Sequence, residues 1–177
     1  HDIEWLNGDY STLFDKLITT WDKVESIGKI MQEEFNQTPI DLTQRVNVSA
    51  EVMQKAGWDI GEGEYATVNT VSAYASEFGL SDENGNDYAI NLTPILPDGT
   101  VIKGGEDGLK EWVRKQIESG KDIETLDVFL GSYKTMDEAI TKAQRLHDLQ
   151  ELYYDALENR NFEYDIYNAM QNITDLN

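Results

Sequence analysis

The sequence predicts an α+β fold: a small, mostly antiparallel sheet packed by helices, with amphipathic helices at both termini. Apolar residues recur every three or four positions near both ends, and they alternate with polar residues in the middle. A chain of 177 residues is also long enough to bury a real core. The predicted parts are a long N-terminal helix (1–39), an α+β domain (40–157) and a C-terminal helix (158–177), which together form one compact unit.

The first predicted element is a long helix from about Thr12 to Asn36. Its apolar residues lie on one stripe, as expected for a helix of 3.6 residues per turn. Pro39 ends the helix, because the residue before a proline avoids the helical region. The stripe consists of Leu13, Leu17, Trp21, Val24, Ile27, Met31 and Phe35.

The next part of the chain reads as short strands around one brief helix. Val46 and Val48 indicate a strand, and residues 49–58 a helix with Ser49 as N-cap and Gly57 as terminator. Residues 65–74 are rich in Val, Thr and Tyr and predict a strand. The Asn84-Gly85 pair then suits a tight turn that returns the chain antiparallel.

The returning strand starts at Tyr88 and alternates like a half-buried strand. Proline lacks the N–H that a central strand needs, so Pro94 predicts a strand end, an edge or a bulge. Pro97-Asp98-Gly99 then predicts a turn that leads the chain away from the sheet.

Two further helices and a strand complete the prediction. A helix is expected over 109–117, closed by Gly120, and a strand over 126–131. Thr135 and Glu138 have the spacing of a capping box, which starts a helix that runs to Leu157. A separate final stripe contains Phe162, Ile166, Met170 and Ile173.

The charge balance excludes some ligand classes. The chain has 34 acidic and 14 basic residues and a net charge of −20. Such a field repels phosphate backbones and anionic membranes, so we expect neither nucleic acid as main ligand nor a membrane. There are no cysteines, which removes disulfides and thiolate metal sites.

No constellation of catalytic residues stands out in the sequence. His147 is the only internal histidine and lies in a predicted helix, and no serine has the G-x-S-x-G setting. We therefore predict no catalytic residues and favour a non-enzymatic role. Paired carboxylates near aromatic rings still leave a glycan or cell-wall hydrolase as an alternative. The residues concerned are Trp58, Asp59, Glu62, Glu64 and Tyr65.

One loop offers oxygen ligands that suit calcium: Asp82, Asn84, Asn86 and Asp87. The spacing fails the EF-hand pattern, because that pattern requires a glycine where Asp87 stands. A plain hairpin turn is the favoured interpretation, and no cofactor is expected. A secreted or surface binding module with a calcium-binding loop is the second alternative.

Three segments resemble a family of known proteins: KAGWDIGEGEYATVNT (55–70), YAINLTPILPDGTVI (88–102) and AQRLHDLQELYYDA (143–156). In this order they are similar to a segment of phage and prophage tail proteins of the tape-measure or minor structural type. The resemblance implies a structural role in the virion, or in the bacterial cytoplasm during assembly. Its implied partners are other tail proteins or further copies of the chain. Secretion remains open.

The leading interpretation is a non-enzymatic module that acts through protein–protein contacts. Pro94, Pro97 and Asp98 are predicted to turn the sheet edge into an exposed loop that meets a partner. Tyr153 and Tyr154, late in the capped helix, are predicted for the same surface.

Overall fold

The computed structural model describes residues 10–176, and it describes the side chains of residues 12–172. Contacts divide the chain into two units. One is a helix pair, formed in its described part by residues 10–31 and 149–176, and the other is an α+β unit of residues 32–148. The units meet at 31/32 and 148/149, whereas the sequence analysis placed the boundaries between its three parts at 39/40 and 157/158.

The predicted α+β fold is confirmed, with a long helix near each end of the described chain. Short 3₁₀ turns at Ala75–Phe78 and Ile123–Thr125 interrupt the connections. The helices are α1 (Tyr10–Glu34), α2 (Ala50–Lys55), α3 (Gly105–Glu118) and α4 (Met136–Leu176).

Two small antiparallel sheets are present in the described chain. The first pairs β1 with β2, and the second has the order β3-β4-β5, so that β4 is central. In the second sheet Asn91 of β4 lies opposite Ser72 on one side and Gly131 on the other. The strands are β1 (Val48–Ser49), β2 (Tyr65–Ala66), β3 (Val71–Tyr74), β4 (Ala89–Leu92) and β5 (Phe129–Tyr133).

The prediction that the strand after Tyr88 is half-buried is wrong. All four residues of β4 are buried, including Asn91 at 3% exposure. The alternation of polar and apolar residues suggested one solvated face, but elements cover both faces of this central strand. Asn91 is tolerated there because its amide is hydrogen-bonded on both sides.

The single strand predicted over 65–74 is also corrected. Residues 65–66 pair with β1, whereas residues 71–74 belong to the other sheet. Between them Asn69 has a φ of 46°, a left-handed conformation that asparagine adopts more readily than most residues. This residue redirects the chain from one sheet to the other.

The predicted strand end at Pro94 and the following turn are confirmed. β4 stops at Leu92, with a register shift against β5 between Asn91 and Leu92. Gly99 has a φ of 89° and donates its N–H to Leu96 at 2.9 Å, which closes the Pro-Asp-Gly turn. The returning chain is fixed because Ile102 donates its N–H to the carbonyl of Pro94 at 2.9 Å.

The two C-terminal helices predicted separately form one helix, α4, of 41 residues. Residues 158–161 separate the two predicted stripes, but they contain neither proline nor glycine. Nothing in this stretch therefore ends a helix. At the N-terminus one half of the predicted capping box is found, since the Thr135 hydroxyl accepts the N–H of Glu138 at 3.1 Å.

The core of the α+β unit lies between the three-stranded sheet and the helices α2 and α3. It contains side chains from β3, β4 and α3 that are almost fully buried, such as Ile90, Leu92, Leu109 and Val113. On the other face of the sheet, Asn91 contacts the first turns of α4. Helix α4 therefore lies on this face of the sheet, and it forms the candidate site together with the edge of β3.

Candidate functional site

The residues predicted to meet a partner have different exposures. Pro94 is buried, whereas Pro97 and Asp98 are exposed at the turn. Tyr153 is buried and Tyr154 is half-buried, and their rings meet edge to face at 5.2 Å. Pro97 and Asp98 belong to the α+β unit, whereas the two tyrosines belong to the helix pair.

Three carboxylate oxygens of the predicted calcium loop, on Asp82 and Asp87, accept hydrogen bonds from the protein, and the side chains of Asn84 and Asn86 are exposed. Asp82 Oδ1 accepts the N–H groups of Asn84 and Asn86 at 2.9 and 2.8 Å. The Asp87 carboxylate accepts the N–H and the hydroxyl of Ser76 at 2.9 and 2.7 Å, and these bonds lower its pKa. The loop has the geometry of a hydrogen-bonded turn, as the favoured interpretation expects.

A shallow depression of about 400 Å³ lies beside this loop, between Asp82, Tyr88, Glu124 and Tyr133. Burial, reinforced by the nearby carboxylates of Glu124, Asp82 and Asp87, raises the pKa of Tyr88. The same carboxylates make this depression unfavourable for an anion.

The residues of the hydrolase alternative lie in different environments. Trp58 is 6% exposed, and its indole N–H donates to the Ile102 carbonyl at 2.9 Å, so its ring belongs to the core. Glu64 accepts the N–H of Gly61 at 3.2 Å and holds a turn. Asp59 and Glu62 are exposed.

One outer edge of the three-stranded sheet is covered by side chains. On β5, Ser132 donates its N–H to Gln37 Oε1 at 2.8 Å and accepts from Gln37 Nε2 at 3.1 Å. Thr38 donates its hydroxyl to the carbonyl of Phe129 at 2.5 Å. The segment after α1 therefore satisfies the main chain that β5 would otherwise present to an incoming strand.

The opposite edge, on β3, is different. Ala75 donates its N–H to Tyr88 at 2.8 Å, and with the observed register this places Val71 and Ala73 in the pairs bonded to β4. The main chain of Ser72 then points outward. Among residues 10–176 no hydrogen bond to its N–H or C=O is found, so this edge can accept a strand.

Beside this edge lies a depression of about 360 Å³, which we name the β3 groove. One wall is the strand edge and the segment before it, and the other wall is α4. Ile140 on the helix wall is 54% exposed, and His147 is also exposed. The groove is lined by Val68, Asn69, Thr70, Ser72, Ile140, Ala143, Gln144 and His147.

Asn91 sets the spacing between the two walls. Its Oδ1 accepts the Ser72 hydroxyl at 2.6 Å, and its Nδ2 donates to the Ala139 carbonyl at 2.8 Å. One buried amide therefore ties the edge strand to the helix, next to Ile140. Buried hydrogen bonds of this kind fix geometry because leaving either partner unsatisfied is costly.

The strand wall is anchored by two further buried polar residues. Arg45, 7% exposed, donates from Nε to the Thr67 carbonyl at 3.1 Å and from Nη2 to the Ile95 carbonyl. Thr93 is fully buried and donates its hydroxyl to the carbonyl of Val68. These bonds hold the segment that enters the groove wall.

Charged side chains lie next to residues of both walls of the groove. At the β3 end, Glu77 accepts the N–H of Tyr74 at 2.9 Å, and its pKa is lowered chiefly by the hydrogen bond from Lys110. At the helix end, Asp148 accepts from Gln144 Nε2 at 3.0 Å. His147 lines the groove, and its ring lies within 4.8 Å of carboxylate oxygens of Asp148 and Glu151, whereas the other lining residues are not titratable.

Sequence reasoning missed the groove and the residues that build it. A polar residue at Asn91, within an otherwise apolar strand, was the available signal for a buried anchor. Arg45 and Thr93 gave no signal of their own, because their partners are main-chain carbonyls of segments distant in sequence.

No helix in the described part of the chain combines the length and the apolar character needed to cross a membrane. Comparison of the chain with protein-family models, with curated proteins and with solved structures gives no match.

Proposed function

We propose that this protein is a non-enzymatic interaction module that binds an extended segment of a partner protein in the β3 groove. The observation that carries this proposal is the difference between the two sheet edges. Side chains cover the outer main chain of β5, whereas that of Ser72 on β3 is left open beside a groove. An added strand obtains affinity from main-chain hydrogen bonds and specificity from its alternate side chains.

The groove gives the partner segment a defined chemistry. A residue of the partner segment that faces α4 would contact Ile140 and Ala143. We therefore expect this residue of the partner to have a small apolar side chain. The net charge of −20 favours flanking lysine or arginine residues, because electrostatic complementarity speeds association and rejects acidic partners. The resemblance of three segments to tail proteins supports a partner within a phage tail assembly.

A selection from a random peptide display library tests this proposal on the intact chain. Enriched peptides are expected to lose at least about tenfold in affinity, or about 1.4 kcal/mol, with Ser72→Pro relative to Ser72→Ala. Both variants lose the hydroxyl bond to Asn91, and only the proline also removes the N–H donor. Proline is tolerated on edge strands, so Ser72→Pro is expected to fold.

A second pair of variants separates binding from folding. Ile140→Asp changes the groove wall, whereas Val52→Asp changes a side chain of similar exposure (54% and 47%) outside the groove. The proposal expects weaker binding only in the first. The proposal would be overturned if the Ile140→Asp and Ser72→Pro variants bound the peptides as tightly as the wild type does. It would also be overturned if the selection enriched no peptide.

A further inference from the structure

We infer that the helix pair associates with a second copy of itself through one aromatic face, forming a four-helix bundle. This inference concerns the other unit and is independent of the β3 groove. The face, named here the aromatic face, consists of Phe14, Ile18, Trp21 and Tyr164, which are 38–45% exposed.

The aromatic face is continuous across the two helices. The rings of Phe14 and Tyr167 lie 5.5 Å apart, and those of Trp21 and Tyr164 lie 6.5 Å apart. Phe14, the earlier residue of α1, contacts the later residue of α4, and Trp21 contacts the earlier one, so the two helices are antiparallel. Ile18 lies one turn from both Phe14 and Trp21 on α1 and fills the space between them in the row.

The apolar pattern is wider than a two-helix pair requires. The stripe facing the partner helix contains the buried residues Leu17, Val24 and Met31. Phe14 and Trp21 add a second row beside it. Two facing stripes suffice for a two-stranded coil, whereas a third apolar position in each heptad is typical of helices in a larger bundle.

Charge distribution favours a second copy over a basic partner. Among the described side chains, the aromatic side of the pair carries one charge of each sign: Glu25, by helical position, and Arg160, whose guanidinium carbon lies 4.7 Å from the centroid of the Trp21 ring. A face adapted to a basic protein would carry most of the acidic residues of the pair, but most of them lie on other sides of these helices. Within residues 12–31 and 149–172, the charged residues at the other positions are Asp15, Lys16, Asp22, Lys23, Lys29, Glu151, Asp155, Glu158, Glu163 and Asp165.

A face with one acidic and one basic residue has no net charge, so two copies meet there with little like-charge repulsion. Two-fold pairing also needs one patch only, since each copy presents the same surface. The whole side of the helix pair that carries the aromatic face is large enough for an interface. Its two helices, each about 30 Å long and about 10 Å wide, present roughly 600 Å² per copy. This gives roughly 1,200 Å² in total, at the lower end of stable interfaces.

Sedimentation of the full chain over a range of concentrations tests this inference. The wild type is expected to be dimeric at roughly 100 µM and to dissociate on dilution. Added salt is expected to tighten the dimer, because it screens the repulsion between two chains of charge −20. Ile18→Glu and Trp21→Glu are both expected to be monomeric.

The matched control is Phe162→Glu, which changes an aromatic residue of 65% exposure on the same helix pair but outside the face. It is expected to remain dimeric, and circular dichroism checks that all variants keep their helices. A monomeric wild type, a dimeric Ile18→Glu or a monomeric Phe162→Glu would overturn the inference. A chain that dimerises only after deletion of residues 1–9 would also overturn it, and would identify that segment as the occupant.

Discussion

The side chain of Gln37 forms two hydrogen bonds with the main chain of Ser132, 95 residues further along the chain. Its oxygen accepts the N–H at 2.8 Å and its nitrogen donates to the C=O at 3.1 Å, which is the pattern that a neighbouring strand would supply. Edge strands need such cover, because an open edge pairs with other chains.

Removal of this cover is expected to destabilise the sheet and expose its β5 edge. Gln37→Ala loses both bonds, and we expect the free energy of unfolding to fall by about 1–2 kcal/mol. Gln37→Glu keeps the acceptor but not the donor, so its free energy of unfolding should lie between those of the wild type and Gln37→Ala. Denaturant unfolding measures both, and equal stability of Gln37→Ala and the wild type would show that the cover is not stabilising.

The buried amide of Asn91 is expected to matter more. Asn91→Ala breaks its bonds with Ser72 and Ala139 and leaves a small cavity, so we expect a loss of about 2–4 kcal/mol. Ser72→Ala breaks only one of these bonds and should cost about 1 kcal/mol. Asn86→Ala, on an exposed side chain, serves as the control and should change stability by less than about 0.5 kcal/mol.

Acid is expected to weaken the contact between Glu34 and α4. Burial raises the pKa of the Glu34 carboxyl, but hydrogen bonds from Arg145 and Lys142 outweigh it and hold the pKa below its ordinary value. A carboxyl of depressed pKa stabilises the fold above its unfolded pKa, about 4.3, and this contribution is lost as the pH falls through the lower folded value.

The contribution of Glu34 is expected to be about 1 kcal/mol or less, because the pair is partly exposed. The difference in unfolding free energy between wild type and Glu34→Gln should therefore be present at neutral pH and vanish in acid. A difference that persists unchanged below about pH 3 would contradict this assignment.

Glu163 is expected to be a destabilising residue of the helix pair. It is 8% exposed, and its Oε2 has no hydrogen-bond partner among residues 10–176. Glu163→Leu should raise the free energy of unfolding by about 1–3 kcal/mol, because a buried unpaired oxygen is replaced by an apolar group. Glu158→Leu on the exposed side of the same helix is the control, and equal effects would contradict the prediction.

Calcium is expected to have no effect on the 82–87 loop. The oxygens of Asp82 and Asp87 accept hydrogen bonds from main-chain N–H groups and from Ser76, which a cation would have to displace. Millimolar calcium should therefore leave the melting temperature unchanged. A rise would show binding to the folded state and would favour the calcium-loop alternative.

Local signals in the sequence predicted much of the fold. The Ser49 and Thr135 caps, the Pro97-Asp98-Gly99 turn and the stripe on α1 depend on neighbouring residues, and all four are present. The exception within the stripe is Trp21, which is 38% exposed and lies beside the buried row. The burial of β4 was missed because it depends on which elements cover both faces of a strand. A pattern of alternation does not contain that information.

The β3 groove could not be predicted from sequence for a related reason. An edge strand is defined by the absence of a neighbour, which is set by the order of strands in the sheet. The cover on β5 comes from Gln37, and the open edge is defined by Ser72, residues whose partners are set by tertiary structure. Nothing in the composition of either segment distinguishes the two edges.

Amide hydrogen exchange at Ser72 and Ser132 tests the central claim most directly. The account predicts that the Ser132 N–H, bonded to Gln37, is protected, whereas the outward N–H of Ser72 exchanges rapidly and becomes protected when a selected peptide binds. Strong protection of Ser72 in the free protein, or no change at Ser72 on peptide binding, would contradict it.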